Sequence, residues 1–189
     1  MKKLLGLFVI LSLLLASRCL AARIDLGSGK SVHFVLPASW VSDETAETPE
    51  APAPGKSVRY ITRNGSNDAL IITFLLVPDD RFNSPENLRV LAEEATAQFV
   101  EGSIEGKSEL KDFTFGGVAG LAARFTDGAL VGQPTEKGNY KALTSCYGYL
   151  GDHVLVTANI FTDDPDGKAC AEGMRILKSI SLGRPSDAL

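Results

Sequence analysis

Apolar and polar positions mark out the elements along this chain. Residues 31–36 (SVHFVL) read as a strand that stops at Pro37, and a turn carrying the single Trp40 follows. Residues 57–63 alternate into a second strand, and Asn64-Gly65 is a strong hairpin-turn dipeptide. Residues 69–77 (ALIITFLLV) are apolar on both faces, which predicts a central strand. Ser84-Pro85-Glu86 then opens a helix: Ser caps, Pro suits the first helical position, and Glu suits the positive end of the dipole. Leu88, Leu91, Ala92, Ala95 and Phe99 share one side of it and charged residues the other, up to Gly102. Two further hairpins are expected, 107–115 with 118–126 across Gly116-Gly117, and 140–150 with 153–161 across Gly151-Asp152. A Gly/Pro-containing loop, 128–138, separates them. Asp163-Asp164-Pro165-Asp166 resembles the first helix start, and Ala169, Cys170, Met174, Leu177 and Ile180 form the apolar face behind it. The order predicts an α+β domain: one mostly antiparallel sheet of about seven strands covered by two main helices.

The N-terminus obeys a different pattern. A basic Met1-Lys2-Lys3 precedes an apolar run over 4–16, and small residues follow. This is the layout of a secretory signal peptide, and the run is shorter than the roughly 20 residues a membrane span needs. Cleavage is expected after Ala21 or Ala22. Cys19 suggests an acylated lipoprotein end instead, but Arg18 places a bulky charge where a small residue is required. The chain then divides into a leader, 1–21, a single domain, 22–182, and a tail, 183–189. Within the domain, residues 43–56 hold three Pro and four acids and no large apolar side chain, which predicts a solvated loop.

Loss of Lys2, Lys3 and Arg18 with the leader leaves 16 basic against 23 acidic residues, a net charge of −7. Such a protein is poorly matched to nucleic acid or anionic lipid, and no stable membrane insertion is expected after cleavage. Export places it in the periplasm or outside the cell. In an oxidising compartment, Cys146 and Cys170 are expected to form a disulfide, worth about 3.5 kcal/mol in the chain-entropy model. Two separate buried thiols are the alternative.

One family shares these features. Val32-His33-Phe34-Val35-Leu36-Pro37 followed by Trp40, the Gly116-Gly117-Val118-Ala119-Gly120 hairpin, and the closing Ile176 to Ile180 segment resemble the PsbP-like α/β/α sandwich. The resemblance covers most of the mature chain. It implies a non-enzymatic domain that binds or scaffolds a partner, and supplies no metal ligands that map onto this sequence.

Candidate chemistry is sparse. Gly29-Lys30-Ser31 matches only the end of a phosphate-binding loop, because Ile24 stands where the first glycine belongs. His33 and His153 lie at predicted strands, with no ligand motif beside either. Asp163, Asp164 and Asp166 raise a calcium reading, but helix capping accounts for them more simply. Asn64-Gly65-Ser66 is a glycosylation sequon. Tyr147 and Tyr149 share a strand face with Leu143 and suit packing. The expected function is therefore an exported binding module, not an enzyme, with a protein or small-molecule partner and no cofactor, metal or catalytic residue. The alternatives are a hydrolase assembled in space around a histidine, or an envelope assembly chaperone.

Overall fold

Two sheets of unequal size share this chain, a computed structural model of which describes residues 19–44 and 54–183. The expected leader up to residue 18, the centre of the Pro-rich loop and residues 184–189 lie outside the described residues. The large sheet contains β3 (Trp40–Ser42), β4 (Gly55–Thr62), β5 (Ala69–Leu76), β6 (Lys111–Phe115), β7 (Val118–Thr126), β8 (Ala142–Gly151) and β9 (Val154–Thr162). Its order is β3-β4-β5-β9-β8-β7-β6, and every neighbouring pair is antiparallel. The small sheet contains β1 (Cys19–Gly27), β2 (Lys30–Pro37) and β10 (Ser181–Leu182), in the order β1-β2-β10. The expected α+β sandwich with a seven-stranded antiparallel sheet is what forms. The small sheet is an addition: it holds the expected strand 31–36 as β2 apart from the large sheet, its β1 spans both expected cleavage points, Ala21 and Ala22, and its β10 is only two residues long.

Helix α1 (Pro85–Thr96) lies on β7 and β8. Ser84 Oγ accepts from the Asn87 N–H at 3.4 Å, so the expected cap forms. Leu88 and Ala92 bury against Leu121, Tyr147 and Leu155. The helix ends at Thr96 rather than running to Gly102. The Thr96 hydroxyl turns back to the Ala92 carbonyl at 2.6 Å, and a 3-10 turn over Ala97–Phe99 follows.

Helix α2 (Lys168–Lys178) covers the opposite face, packing on β9, β6 and β2. Its start differs from expectation. Gly167 holds the cap position, and Pro165 lies before the helix instead of in its first turn. The Asp164 carboxylate accepts from the Asp166 N–H at 3.2 Å and its carbonyl from the Gly167 N–H at 3.0 Å. The acids build the turn ahead of the helix.

The main core lies between the two sheets and α2, and includes Trp40, Phe74, Phe115, Ile160, Ile176 and Ile180. Phe115 occupies a slot created by two glycines paired across β7 and β8, Gly120 and Gly148. A β-carbon at Gly148 would lie 2.7 Å from Phe115 Cε2. Cys146 and Cys170 join this core, and both are free thiols. The structure therefore departs from the expected disulfide. Cys146 sits on β8 between Ala122 and Ala158, and the Cys170 thiol, near enough to bear on its ionisation, packs against Thr144 and Arg124.

Hairpin turns also carry one correction. Gly116-Gly117 forms its expected turn, with φ of 54° and 88°. In the β8–β9 hairpin, however, the turn residues are Asp152 and His153, at φ of 48° and 63°, not Gly151-Asp152. His153 thus leaves the strand and moves to the hairpin tip.

Candidate binding site

Each histidine finds only part of a catalytic set. His33 lies in β2 with Ser31 Oγ 3.3 Å from its Nε2. His153 Nδ1 lies 3.6 Å from Asp80 Oδ1, and its backbone N–H donates to the Tyr149 hydroxyl at 2.9 Å. The Tyr149 hydroxyl in turn donates to Asp80. Burial, then that hydrogen bond, push this hydroxyl above the ordinary tyrosine range, so it remains a donor at neutral pH. A serine therefore meets one histidine and a carboxylate the other. Among the described residues nothing joins the two into a nucleophile–base–orienter array. Tyr147 and Tyr149 are buried beneath α1 and its approach, as packing residues.

The three acids near α2 are already engaged. Asp163 accepts from Thr135 Oγ1 at 2.5 Å, from Asn67 Nδ2 at 3.3 Å and from the Lys141 N–H at 3.3 Å. Asp166 pairs with Arg124 at 2.9 Å. Among the described residues no group of three or more His, Cys, Asp or Glu is arranged to hold a metal ion. Asn67 completes the function of Asp163, donating to the carbonyl of Glu136 and accepting from the Gly138 N–H. Together the two side chains anchor residues 135–141. Gly29-Lys30-Ser31 belongs to the β1–β2 turn, where Lys30 Nζ binds Asp152 at 2.7 Å. Asn64 Oδ1 accepts from the Ser66 N–H at 3.0 Å, closing the β4–β5 turn.

Two of the concave regions among the described residues bear on function. One, of about 510 Å³, opens beside the N-terminus of α2. Glu172 faces it with only 8% of its surface exposed, and accepts from Ser39 Oγ at 2.8 Å and Trp40 Nε1 at 3.2 Å. Thr62, Ser66, Asp68 and Thr162 form a hydroxyl–carboxylate chain along its wall. The carboxylate thus locks the only tryptophan and the loop before β3 onto α2.

The second, of about 560 Å³, is an aromatic groove under the loop anchored by Asn67 and Asp163. Phe99, Phe125, Tyr140 and Phe161 line it, with ring pairs at 5.6 Å (Phe99–Phe125) and 5.1 Å (Tyr140–Phe161). Their origins are dispersed: the 3-10 turn after α1, β7, the loop before β8, and β9. Ile104 and Val131, each next in the chain to a lining residue (Ser103 and Leu130), are 63% and 55% exposed. Glu105 secures the Ile104 turn. Partial burial opposes its ionisation, but the Thr126 N–H at 2.7 Å and hydroxyl at 2.9 Å hold its carboxyl below the usual glutamate range. Sequence spacing placed Phe99 on a helix face and marked none of these residues as lining a groove, because they converge only through the sheet order.

A PsbP-like α/β/α sandwich is the class these elements define. The solution structure of the cyanobacterial PsbP (CyanoP) from Synechocystis sp. PCC 6803 is similar with a TM-score of 0.52, 12% identity, and coverage of 89% of this chain and 94% of that one. A crystal structure from Bacteroides thetaiotaomicron gives 0.45 and 12%, covering 86% of this chain but 48% of its own. The Saccharomyces cerevisiae Ran-binding protein Mog1p gives 0.45 and 13%, covering 86% and 95%. No protein-family model and no curated protein matches the sequence.

Proposed function

We propose that this chain is an exported, non-enzymatic binding module that engages a protein partner through the aromatic groove. The observation that carries this reading is the groove itself. Four rings line it, and Ile104 and Val131, next in the chain to the lining residues Ser103 and Leu130, stay largely in solvent. An aromatic-lined concavity with polar residues among its walls suits an interaction site. Export rests on the leader at 1–21 and fits the acidic net charge that remains once it is removed. Among the described residues no helix is long and apolar enough to cross a membrane. A PsbP-like sandwich is compatible with a scaffold whose chemistry is recognition.

The test is photo-crosslinking in the producing cell, with a photoreactive amino acid placed at Val131, at Ile104, or at Val90 on the exposed side of α1 as a control. A discrete adduct from Val131 and Ile104, missing from Val90, is expected. A broad smear of adducts favours the chaperone alternative. Identical patterns at all three positions refute the groove.

A further inference from the structure

We propose that Asn64 is a self-modifying site: the chain converts this amide to a carboxylate, with water as the only co-reactant, and so adds a charge to the cavity beside α2. The sequence holds six asparagines, and only Asn64 precedes a glycine; the others precede Asp68, Ser84, Leu88, Tyr140 and Ile160. The step needs the main-chain nitrogen of the next residue to reach the side-chain carbonyl carbon. A β-carbon on that residue obstructs the approach. At Gly65 the way is clear. It is exposed, with φ of 76°, and beyond its chain neighbours no atom lies within 4 Å of where a β-carbon would sit. Among the described residues no partner accepts from the Gly65 N–H.

The same turn prepares the electrophile. Asn64 Oδ1 accepts from the Ser66 N–H at 3.0 Å and from the Ser66 hydroxyl at 2.8 Å. The first bond closes a small ring that contains both Asn64 Cγ and the Gly65 nitrogen, which holds the carbon on the nitrogen's side of the chain. Both donors face the oxygen on which negative charge develops as the nitrogen adds. Hydroxide removes the Gly65 N–H proton, the nitrogen bonds to Cγ, and the Cγ–Nδ2 bond breaks to release ammonia, which takes its proton from water. Water then opens the cyclic imide. Cleavage at Cγ leaves aspartate. Cleavage at the main-chain carbonyl leaves isoaspartate, whose backbone runs through the β-carbon and is one methylene longer. Overall one water enters and one ammonia leaves, with no change of oxidation state. Either product carries a carboxylate. Asn64 lines the cavity of about 510 Å³, whose acids are Asp68, Asp164 and Glu172 and whose cations are Arg63 and Lys168. Conversion adds another acid to that wall. Isoaspartate also lengthens the turn between the Ile61–Ala69 pair and strains the Thr62–Ser66 contact.

Ageing of the folded full chain at mildly alkaline pH, read by isoelectric focusing and site-resolved peptide mapping, tests the proposal. Wild type should develop an acidic form in which NH2 is replaced by OH at Asn64, ahead of every other asparagine. Asn64→Gln should not develop it, because the longer side chain closes its ring far less readily. Gly65→Ala should slow it by about tenfold or more, a barrier raised by about 1.4 kcal/mol. Ser66→Ala keeps the Asn-Gly dipeptide and removes one donor. It should slow conversion by about threefold, less than the loss of a buried oxyanion donor. Wild type aged folded and aged in urea gives a comparison without variants. An Asn64 that stays intact in the folded protein while it converts in urea overturns the proposal. So does a rate that Ser66→Ala leaves unchanged, or a glycan on Asn64 in protein taken from the producing cell.

Discussion

Gly148→Ala isolates one packing decision. The added methyl would sit 2.7 Å from Phe115 Cε2 and closer still to Cδ2, where ordinary contact begins near 3.4 Å. The Phe115 ring must therefore retreat by about an ångström. It has nowhere to go: it is fully buried, with Phe113 edge-on at 5.0 Å and Gly120 on the adjoining strand. Overpacking of this kind costs about 1–3 kcal/mol, and the enclosed ring puts this case near 3. For a domain of this size the melting temperature should fall by about 6–12 °C. Phe115→Leu alone should cost about 1–2 kcal/mol by opening a small void. The two changes share one space, so the double variant should be more stable than the sum of the single losses by more than about 1 kcal/mol. Urea unfolding followed by circular dichroism measures all three. A double variant that shows the full additive loss refutes the slot argument.

Three other outcomes follow from the same structure. Glu172→Ala strands the Trp40 indole N–H without its acceptor, and should destabilise by about 1–3 kcal/mol and shift the emission of the only tryptophan; unchanged fluorescence and stability would contradict the role given to Glu172. Cys146 and Cys170 should resist a thiol reagent in the native protein and react once it is unfolded in urea without reductant, since burial pushes both thiols up and shields them; if neither reacts after unfolding, they are oxidised. Glu105 has a lowered folded pKa, so it adds stability above the ordinary glutamate range and loses it as pH falls through its own value. Glu105→Gln should therefore narrow its stability deficit against wild type as the pH drops toward 3, and a deficit that stays constant with pH would refute this.

Local signals in the chain carried the large sheet well. Ser84-Pro85 marked the start of α1, and Asn64-Gly65 and Gly116-Gly117 marked two hairpins, because each of these turns and caps is chosen by its own few residues. The start of α2 misled, since Asp164 serves a tight turn with Pro165 and mimics a cap. The β8–β9 turn misled in the same way: Gly151 invited the turn, but the register places Asp152 and His153 in it. The expected disulfide drew on compartment and cysteine parity, neither of which reports where a thiol points. The aromatic groove left no trace in spacing. Phe99 read as part of a helix face, Phe125 and Phe161 as ordinary strand residues, and only the neighbouring of β7, β8 and β9 brings them together.

The small sheet joins the two ends of the described chain, with Ser181 beside His33 and Leu182 beside Val32. Its consequence is one of timing. A polypeptide emerging from its N-terminus makes β1 and β2 first, yet the third member of their layer arrives last. Until α2 and β10 exist, Val32, Phe34 and Trp40 lack the lid that keeps them dry. Native closure is thus a terminal event rather than a progressive one, and a nascent chain halted before residue 168 carries an open hydrophobic face at the moment it most needs protection.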